Sequence, residues 1–326
     1  MIGCCGKGGE VVLLKSKTMR PNKVVVVGSY NTDMTIKAAR IPQPGETILG
    51  GSFAMGAGGK GANQAVAAAR AGAEVWFIAR VGDDAFGEAA LKSFRQDGIN
   101  IDYVIRDRET PTGVACIVVD EAGENSIVVA SGANLRLQSH DVEAAKEVIA
   151  AADILLLQLE SPLETVTAAA QLAASYGVRV VLNPAPAQSL APELLKPLSI
   201  ITPNELEAEM LTGIKIAGEK SWESAAQALR SPGLTTAMIT LGAQGVFVAT
   251  GKRNFLAPAF KVDAVDTTAA GDIFNGALAA FLSRDRSLDE AVRMACAAAA
   301  LSVTKLGAQT SAPFLNNVQR FLNEQA

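Results

Sequence analysis

Lys23-Val24-Val25-Val26-Val27-Gly28 is a β-branched run with no polar residue in its interior. A strand exposed on one face alternates apolar with polar positions, so an unbroken run predicts a strand covered on both faces. The run delivers Ser29-Tyr30-Asn31-Thr32-Asp33, in which Asn31 and Asp33 would project to the same side of an extended chain. An amide and a carboxylate on one face suit the adjacent hydroxyls of a sugar. The plainer reading is a solvated turn that uses Asn and Asp for local capping.

Working outward, strand-like runs recur at Val75–Val81, Asp153–Glu160, Val178–Leu182, Ser199–Thr202 and Ala237–Gly242. Helical segments near 85–96, 140–151 and 163–176 separate them. This alternation predicts an α/β fold, a mostly parallel sheet between layers of helices. Glu160 falls at the C-terminal end of its strand, where open α/β sheets bind ligands. Two segments break the alternation. Thr47–Phe53 reads as a short exposed strand, and Thr112–Val119 with Ser126–Ala130 as a hairpin across Asp120–Asn125. Together, about residues 34–57 and 111–131 are expected to form a small β lid.

The chain has 326 residues, 49% of them hydrophobic, and 29 glycines, which fits a large core threaded by tight turns. Its net charge of −4, with no basic block, argues against nucleic acid as a partner. No apolar run reaches membrane-spanning length, so no membrane partner is expected. Residues 1–21 hold Lys7, Lys15, Lys17 and only the short apolar patch Val11–Leu14, too weak for a secretory signal. They are expected to be an extension, disordered or foreign to the native chain, ahead of one α/β domain over 22–326. Cys4, Cys5, Cys116 and Cys296 follow neither metal nor disulfide spacing, which points to a reduced, cytoplasmic setting. The single histidine, His140, sits at a helix start, so a Ser-His-Asp hydrolase would depend on that one imidazole.

Two glycine-rich stretches carry the chemistry. Asp266-Thr267-Thr268-Ala269-Ala270-Gly271-Asp272-Ile273-Phe274-Asn275-Gly276 leads into a helix predicted over Gly276–Leu282. The small side chains of Ala269, Ala270 and Gly271 leave backbone N–H groups open to an anion at a helix N-terminus. Asp272 beside that hole makes sense as the acceptor of a proton from an attacking hydroxyl; as a bland alternative it merely caps the helix. Gly56-Ala57-Gly58-Gly59-Lys60-Gly61-Ala62-Asn63 formally contains GxGxxG, but the residues before it are no core strand, and the Walker A pattern fails at Ala54 and Gly61. It reads as an approach to a helix N-terminus with Lys60 and Asn63 as polar handles. Between the two stretches, Asn204 and Glu207 are spaced to share one helix face and to orient the water shell of a magnesium ion, although acids there are often only dipole partners.

The order and spacing of Gly58–Asn63, Pro203-Asn204-Glu205 and Asp266–Gly276 resemble the ribokinase family of carbohydrate kinases, over roughly residues 22 to 326. The resemblance implies a three-layer α/β/α sandwich with a protruding β lid. It also implies ATP-dependent phosphorylation of ribose at its 5-hydroxyl, with Asp272 as general base and 269–271 as anion hole. Asn31, Asp33, Gly59, Lys60, Gly61, Asn63 and Glu160 match its sugar positions. Asn204, Thr240, Gly242, Gly245, Gly271 and Cys296 match its nucleotide positions, the last where histidine is often found. Glu207 matches its magnesium motif, through water; Asp266, Thr268, Ser302, Lys305, Gly307 and Ser311 match a potassium site. A dimer joined through the lid is a further implication. A deoxyribose or nucleoside kinase of the same family, or a sugar-binding regulator without catalysis, are the alternatives.

Overall fold

Successive residues of β1 (Lys23–Val27) enter two different cores: Val24 and Val26 join one, Val25 and Val27 the other. The computed structural model, which describes residues 22–230, 233–284 and 286–325, therefore places this strand in the middle of a sheet covered on both faces. The expectations for residues 1–21, including Cys4 and Cys5, lie outside the described residues.

β1 pairs in parallel with β4 (Glu74–Gly82) on one side and β8 (Ile154–Leu157) on the other. The parallel order continues through β9 (Arg179–Leu182), β10 (Ile200–Ile201) and β11 (Thr236–Thr240), and past β4 to the edge strand β5 (Asn100–Asp107). Two antiparallel pairings, through β12 (Val246–Ala249) and β13 (Asn254–Ala257), complete nine strands. One core lies under α1 (Lys60–Arg70), α2 (Ala85–Gln96), α9 (Ala270–Leu282), α10 (Leu288–Ser302) and α12 (Leu315–Glu324). The other lies under α3 (Ser139–Ala144), α4 (Lys146–Ala150), α5 (Leu163–Ser175), α6 (Pro192–Leu195), α7 (Glu205–Thr212) and α8 (Glu219–Leu229). The three-layer α/β/α architecture follows. No helix among the described residues is long and apolar enough to cross a membrane.

A second sheet has the order β3-β2-β6-β7, from β2 (Asn31–Lys37), β3 (Ser52–Gly58), β6 (Gly113–Val119) and β7 (Asn125–Ala130). Here the sequence expectation needs correcting. The strand expected at 47–53 lies at 52–58, so Gly56 and Gly58 belong to a strand rather than to a loop before α1. Pairing with β2 imposes this, since Gly58 and Gly56 stand opposite Asn31 and Asp33.

Two close approaches fix α1. At its N-terminus, a Cβ on Gly61 would sit 2.7 Å from the Gly28 Cα at the end of β1. Further along, a Cβ on Gly276 of α9 would run into the Gln64 carbonyl oxygen and come within 2.6 Å of the Ala67 Cβ. Close-packed interiors do not absorb such an intrusion freely. Gly276→Ala is therefore expected to lose about 1–3 kcal/mol, the usual cost of overpacking. Gly56→Ala, whose Cβ would meet nothing within 4 Å, is expected to stay within about 0.5 kcal/mol of the parent. Urea midpoints at constant m-value would test both, and equal midpoints for the two variants would contradict the packing argument.

Candidate active site

α9 starts at Ala270, not at Gly276, so Asp272 stands in its first turn. Ala269 precedes it with φ 59°, the only positive φ outside glycine among the described residues. A left-handed alanine costs of order 1–3 kcal/mol and persists only where its surroundings dictate it. Of the three residues expected to bind an anion, Ala270 already donates its N–H to the Thr267 carbonyl at 3.2 Å. A Cβ on Gly271 would meet nothing within 4 Å, so that part of the turn faces open space.

Asp272 is not a helix cap. Its buried carboxylate accepts from Asn63 Nδ2 at Oδ2 (3.0 Å) and from Gln64 Nε2 at Oδ1 (2.9 Å), both on α1. Burial pushes its pKa up; Lys60 and the two amides oppose that, Glu160 adds to it, and the net direction is upward.

A cleft of about 190 Å³ opens over this turn, with Lys60, Asn204, Glu207, Thr240 and Ala269–Asp272 in its wall. Lys60, the first residue of α1, is partly buried. Burial works against its charge, but Asp272, Glu160 and Glu207 outweigh that and hold its pKa above the usual lysine value. Asn204 and Glu207 form a reciprocal cap of α7: Glu207 N donates to Asn204 Oδ1 (2.8 Å), and Asn204 N to Glu207 Oε2 (2.9 Å). Burial raises the Glu207 pKa, against the pull of the Asn204 N–H and of Lys60. A parallel bridge sets Asn204 beside Thr240. Gly242 and Gly245 lie beyond Thr240, in the turn before β12. Cys296 is buried in α10, its thiol pushed up to about 12 by burial. None of these three lines the cleft.

On the other side, Asn31 and Asp33 occupy β2 as it leaves β1. Asn31 Oδ1 accepts from Asn134 Nδ2 (2.8 Å), and Asn134 is itself locked by both polar atoms of the Tyr30 peptide at 2.9 Å. Burial, then the carboxylates of Glu160 and Asp272, raise the Asp33 pKa to about 6. Glu160 lies three residues beyond β8 rather than at its end, and its Oε2 accepts from Ser29 Oγ (2.5 Å) and from the Lys60 N–H (2.9 Å), tying that segment to the start of α1. Gly59 caps that start, with φ 85°. His140 is exposed on α3, 3.0 Å from Asp141, and lines no part of the cleft.

The segment after α10 folds back onto Asp266. Its Oδ2 accepts from the Gly307 N–H (2.8 Å) and its Oδ1 from the Thr268 N–H (2.9 Å), while the Val303 carbonyl accepts from Val265 and Asp266. Ser302 ends α10 with its carbonyl accepting from the Lys305 N–H (3.0 Å), and Ser311 is buried in α11 (Ala308–Ser311). Sequence reasoning did not single out Gln64, Asn134, Gln158 or Asn183, all buried around these groups. The usable signal was their position: Gln158, Asn183 and Thr202 each directly follow the last residue of a parallel strand.

Residues 21–315 match the model of the pfkB family of carbohydrate kinases. A ribokinase of Haemophilus influenzae is 49% identical over 299 residues, covering 92% of this chain and 98% of the relative. A deoxyribokinase of Salmonella typhi is 36% identical over 301 residues, 92% of this chain and 98% of that protein. The solved structure of Arabidopsis thaliana ribokinase complexed with ribose and ATP superposes with a TM-score of 0.87 at 32% identity, over 93% of this chain and 99% of that one. A glycine-fitted α1 pressed against the first turn of α9, with Asp272 buried between them, is thus carried on a chain that belongs to the pfkB family of carbohydrate kinases.

Proposed function

We infer that this chain transfers the γ-phosphoryl group of ATP to O5 of D-ribose, giving ribose 5-phosphate and ADP. The observation that carries the reading is the Asp272 carboxylate, buried at the first turn of α9, held by two amide donors and facing a cleft shared with Lys60. Relatives named as ribokinases, at up to 49% identity, supply the sugar.

In this reading Asp272 accepts the proton of the 5-hydroxyl as that oxygen attacks the γ-phosphorus and the bond to the β-phosphate oxygen breaks. The raised pKa strengthens it as a base while the amide donors keep the ionised form accessible. Amides of the 269–271 turn and the Lys60 ammonium meet the charge that grows on the phosphoryl oxygens. Asn31, Asp33, Gly59, Lys60, Gly61, Asn63 and Glu160 hold the sugar; Asn204, Thr240, Gly242, Gly245, Gly271 and Cys296 belong to the nucleotide side.

Magnesium fits the Glu207 carboxylate on the cleft wall, held through water, because this ion is usually held by one or two carboxylates with water and phosphate oxygens. When bound, it would neutralise phosphate charge. Potassium fits the other loop. The carboxylate of Asp266 and the backbone oxygens of Thr268, Ser302, Lys305 and Gly307, with Ser311 adjacent, come from two segments tied together by hydrogen bonds. A set of carbonyl oxygens with one carboxylate suits a weakly hydrated monovalent cation.

The second sheet is read as a lid that pairs with a second copy. β7 is exposed along its whole length although it carries Ile127, Val128 and Val129, and Phe53 and Met55 of β3 are exposed as well. Apolar exposure on a free sheet edge marks an interaction surface. Light scattering at working concentration is expected to give a dimer, and a monomer would contradict this part of the reading. A cytoplasmic setting agrees with the free thiols of Cys116 and Cys296.

Asp272→Asn should lower turnover by at least the ~10²–10⁴-fold of a general base while ATP binding is largely kept; near-normal turnover would sink the assignment. A coupled assay on ribose, deoxyribose and ribonucleosides, with and without potassium, is expected to rank ribose first. Ribose as the poorest substrate would favour the deoxyribose or nucleoside reading, and no sugar-dependent ATP consumption would favour a regulator. The Asp33 pKa near 6 predicts a pH effect on KM. Ionised Asp33 accepts sugar hydroxyls and protonated Asp33 accepts them poorly, so KM for the sugar should climb as pH falls below about 6, by at most about tenfold per unit. Asp33→Asn should raise KM and flatten that dependence.

A further inference from the structure

Gln64 has no exposed surface and lines no cleft, yet it touches the proposed proton acceptor. Its orientation is determined from the far end of a hydrogen-bonded chain. The Thr202 carbonyl can only accept, so Asn183 must turn its Nδ2 towards it (3.2 Å). That leaves Asn183 Oδ1 for Gln64 Nε2 (3.0 Å), and the same nitrogen supplies its second hydrogen to Asp272 Oδ1 (2.9 Å). Gln64 Oε1 then accepts from Gln158 Nε2 at 2.5 Å. Every member is buried, and a Cβ at Gly28 would collide with the Gln158 amide oxygen, so this space is kept open for the chain.

We propose that Gln64 is a positioning residue for phosphoryl transfer: its amide, oriented by Gln158 and Asn183, fixes Asp272 Oδ1 so that the carboxylate presents one orientation to the substrate hydroxyl. This rests on the reading of Asp272 as the general base. Amides do not titrate between pH 4 and 10, so the support is the same at every working pH and no proton leaves Asp272 through it. Asn63 holds the other oxygen but, in the function inferred above, is also one of the residues that hold the sugar. Gln64 cannot exchange its partner for ligand. The charged groups acting on Asp272 are Lys60 of α1, Glu160 beyond β8, Asp33 of β2 and Glu207 of α7, and none of them lies on the amide chain.

The test uses the full chain with Gln64→Leu, and kcat, both KM values and the acid limb of kcat against pH as readouts. The expected result is a fall in kcat of about tenfold to a hundredfold, the weight of one hydrogen bond to a charged group. KM for sugar and nucleotide should stay within about threefold, because the residue touches neither. The acid limb should move to higher pH, since a donor that favours the ionised carboxylate has been removed. Gln64→Glu, which exchanges that donor for an acceptor, should move the limb further the same way. If Gln64→Leu fails to fold, Gln158→Leu, which leaves the Asp272 contact in place, should give a smaller change in the same direction. A folded Gln64→Leu protein with parental kcat, or with reduced kcat and an unmoved acid limb, would overturn the proposal, as would a Gln158→Leu protein identical to the parent in both readouts. Either result would leave the Asp272 assignment standing, since only Asp272→Asn bears on that.

Discussion

An ionised carboxylate buried at a helix start is costly unless hydrogen-bond donors replace the water it gives up. Asp272 obtains those donors from a different helix, and the arrangement of that helix follows from the need. Asn63 and Gln64 reach Asp272 only if α1 lies almost in contact with α9, and Gly276 removes the side chain that would hold them apart. The start of α1 must also rest on the end of β1, where Gly61 meets Gly28. Glycines separated by more than two hundred residues thus serve one electrostatic requirement. The same contacts carry Lys60, at the first position of α1, to the edge of the cleft.

The sheet supplies the second half of this support. Parallel strands covered on both faces can accept polar side chains only at their ends, since every interior position faces a core. Gln158, Asn183 and Thr202 stand one residue past β8, β9 and β10, at the first places where an amide or hydroxyl can be buried with partners. Thr202 Oγ1 hydrogen-bonds Asn275 Oδ1 (2.6 Å), and Asn275 Nδ2 returns to the Gly271 carbonyl (2.8 Å), so the strand ends also brace the turn that bears Asp272. Buried polar side chains of this kind add rigidity through the partners they find, and these four, with Gln64, link the strand ends to α1 and α9.

What the sequence reveals divides along the same line. The double-sided burial of β1 is written in its unbroken valines, and the alternation of strands and helices gives the layers. Asp272 and Lys60 are legible as chemistry because a carboxylate and an ammonium beside glycine-rich turns have few structural uses. Amides are different: nothing in the local sequence around Gln64 or Asn134 sets them apart from other polar residues. Their roles depend on partners 208 and 103 positions away, which no local period encodes. β3 was misplaced for a related reason, since its register is imposed by pairing with β2 and its glycines carry no strand propensity. The edge strand β5 and helix α8 passed unnoticed; β5 is only half-buried, and its Asn and Asp residues blur the alternation.

The charge balance of the cleft follows from this construction. Asp33, Glu160, Glu207 and Asp272 act on one another or on Lys60, and Lys60 is the one cation among them. Burial, and after it the carboxylates of Glu160 and Asp272, raises the pKa of Asp33; burial likewise opposes ionisation of Asp272, where Lys60 and the two amides favour the charge and Glu160 works against it. The surplus of negative charge would also repel a triphosphate, were the approach not made over Lys60 and the N–H groups of the α9 turn. The left-handed Ala269 places that turn at the cleft wall, and the open space beyond Gly271 leaves its backbone within reach. An acidic floor that accepts protons and hydroxyls, next to a backbone wall that accepts an anion, separates the two halves of a phosphoryl transfer in space while keeping them within one side chain of each other.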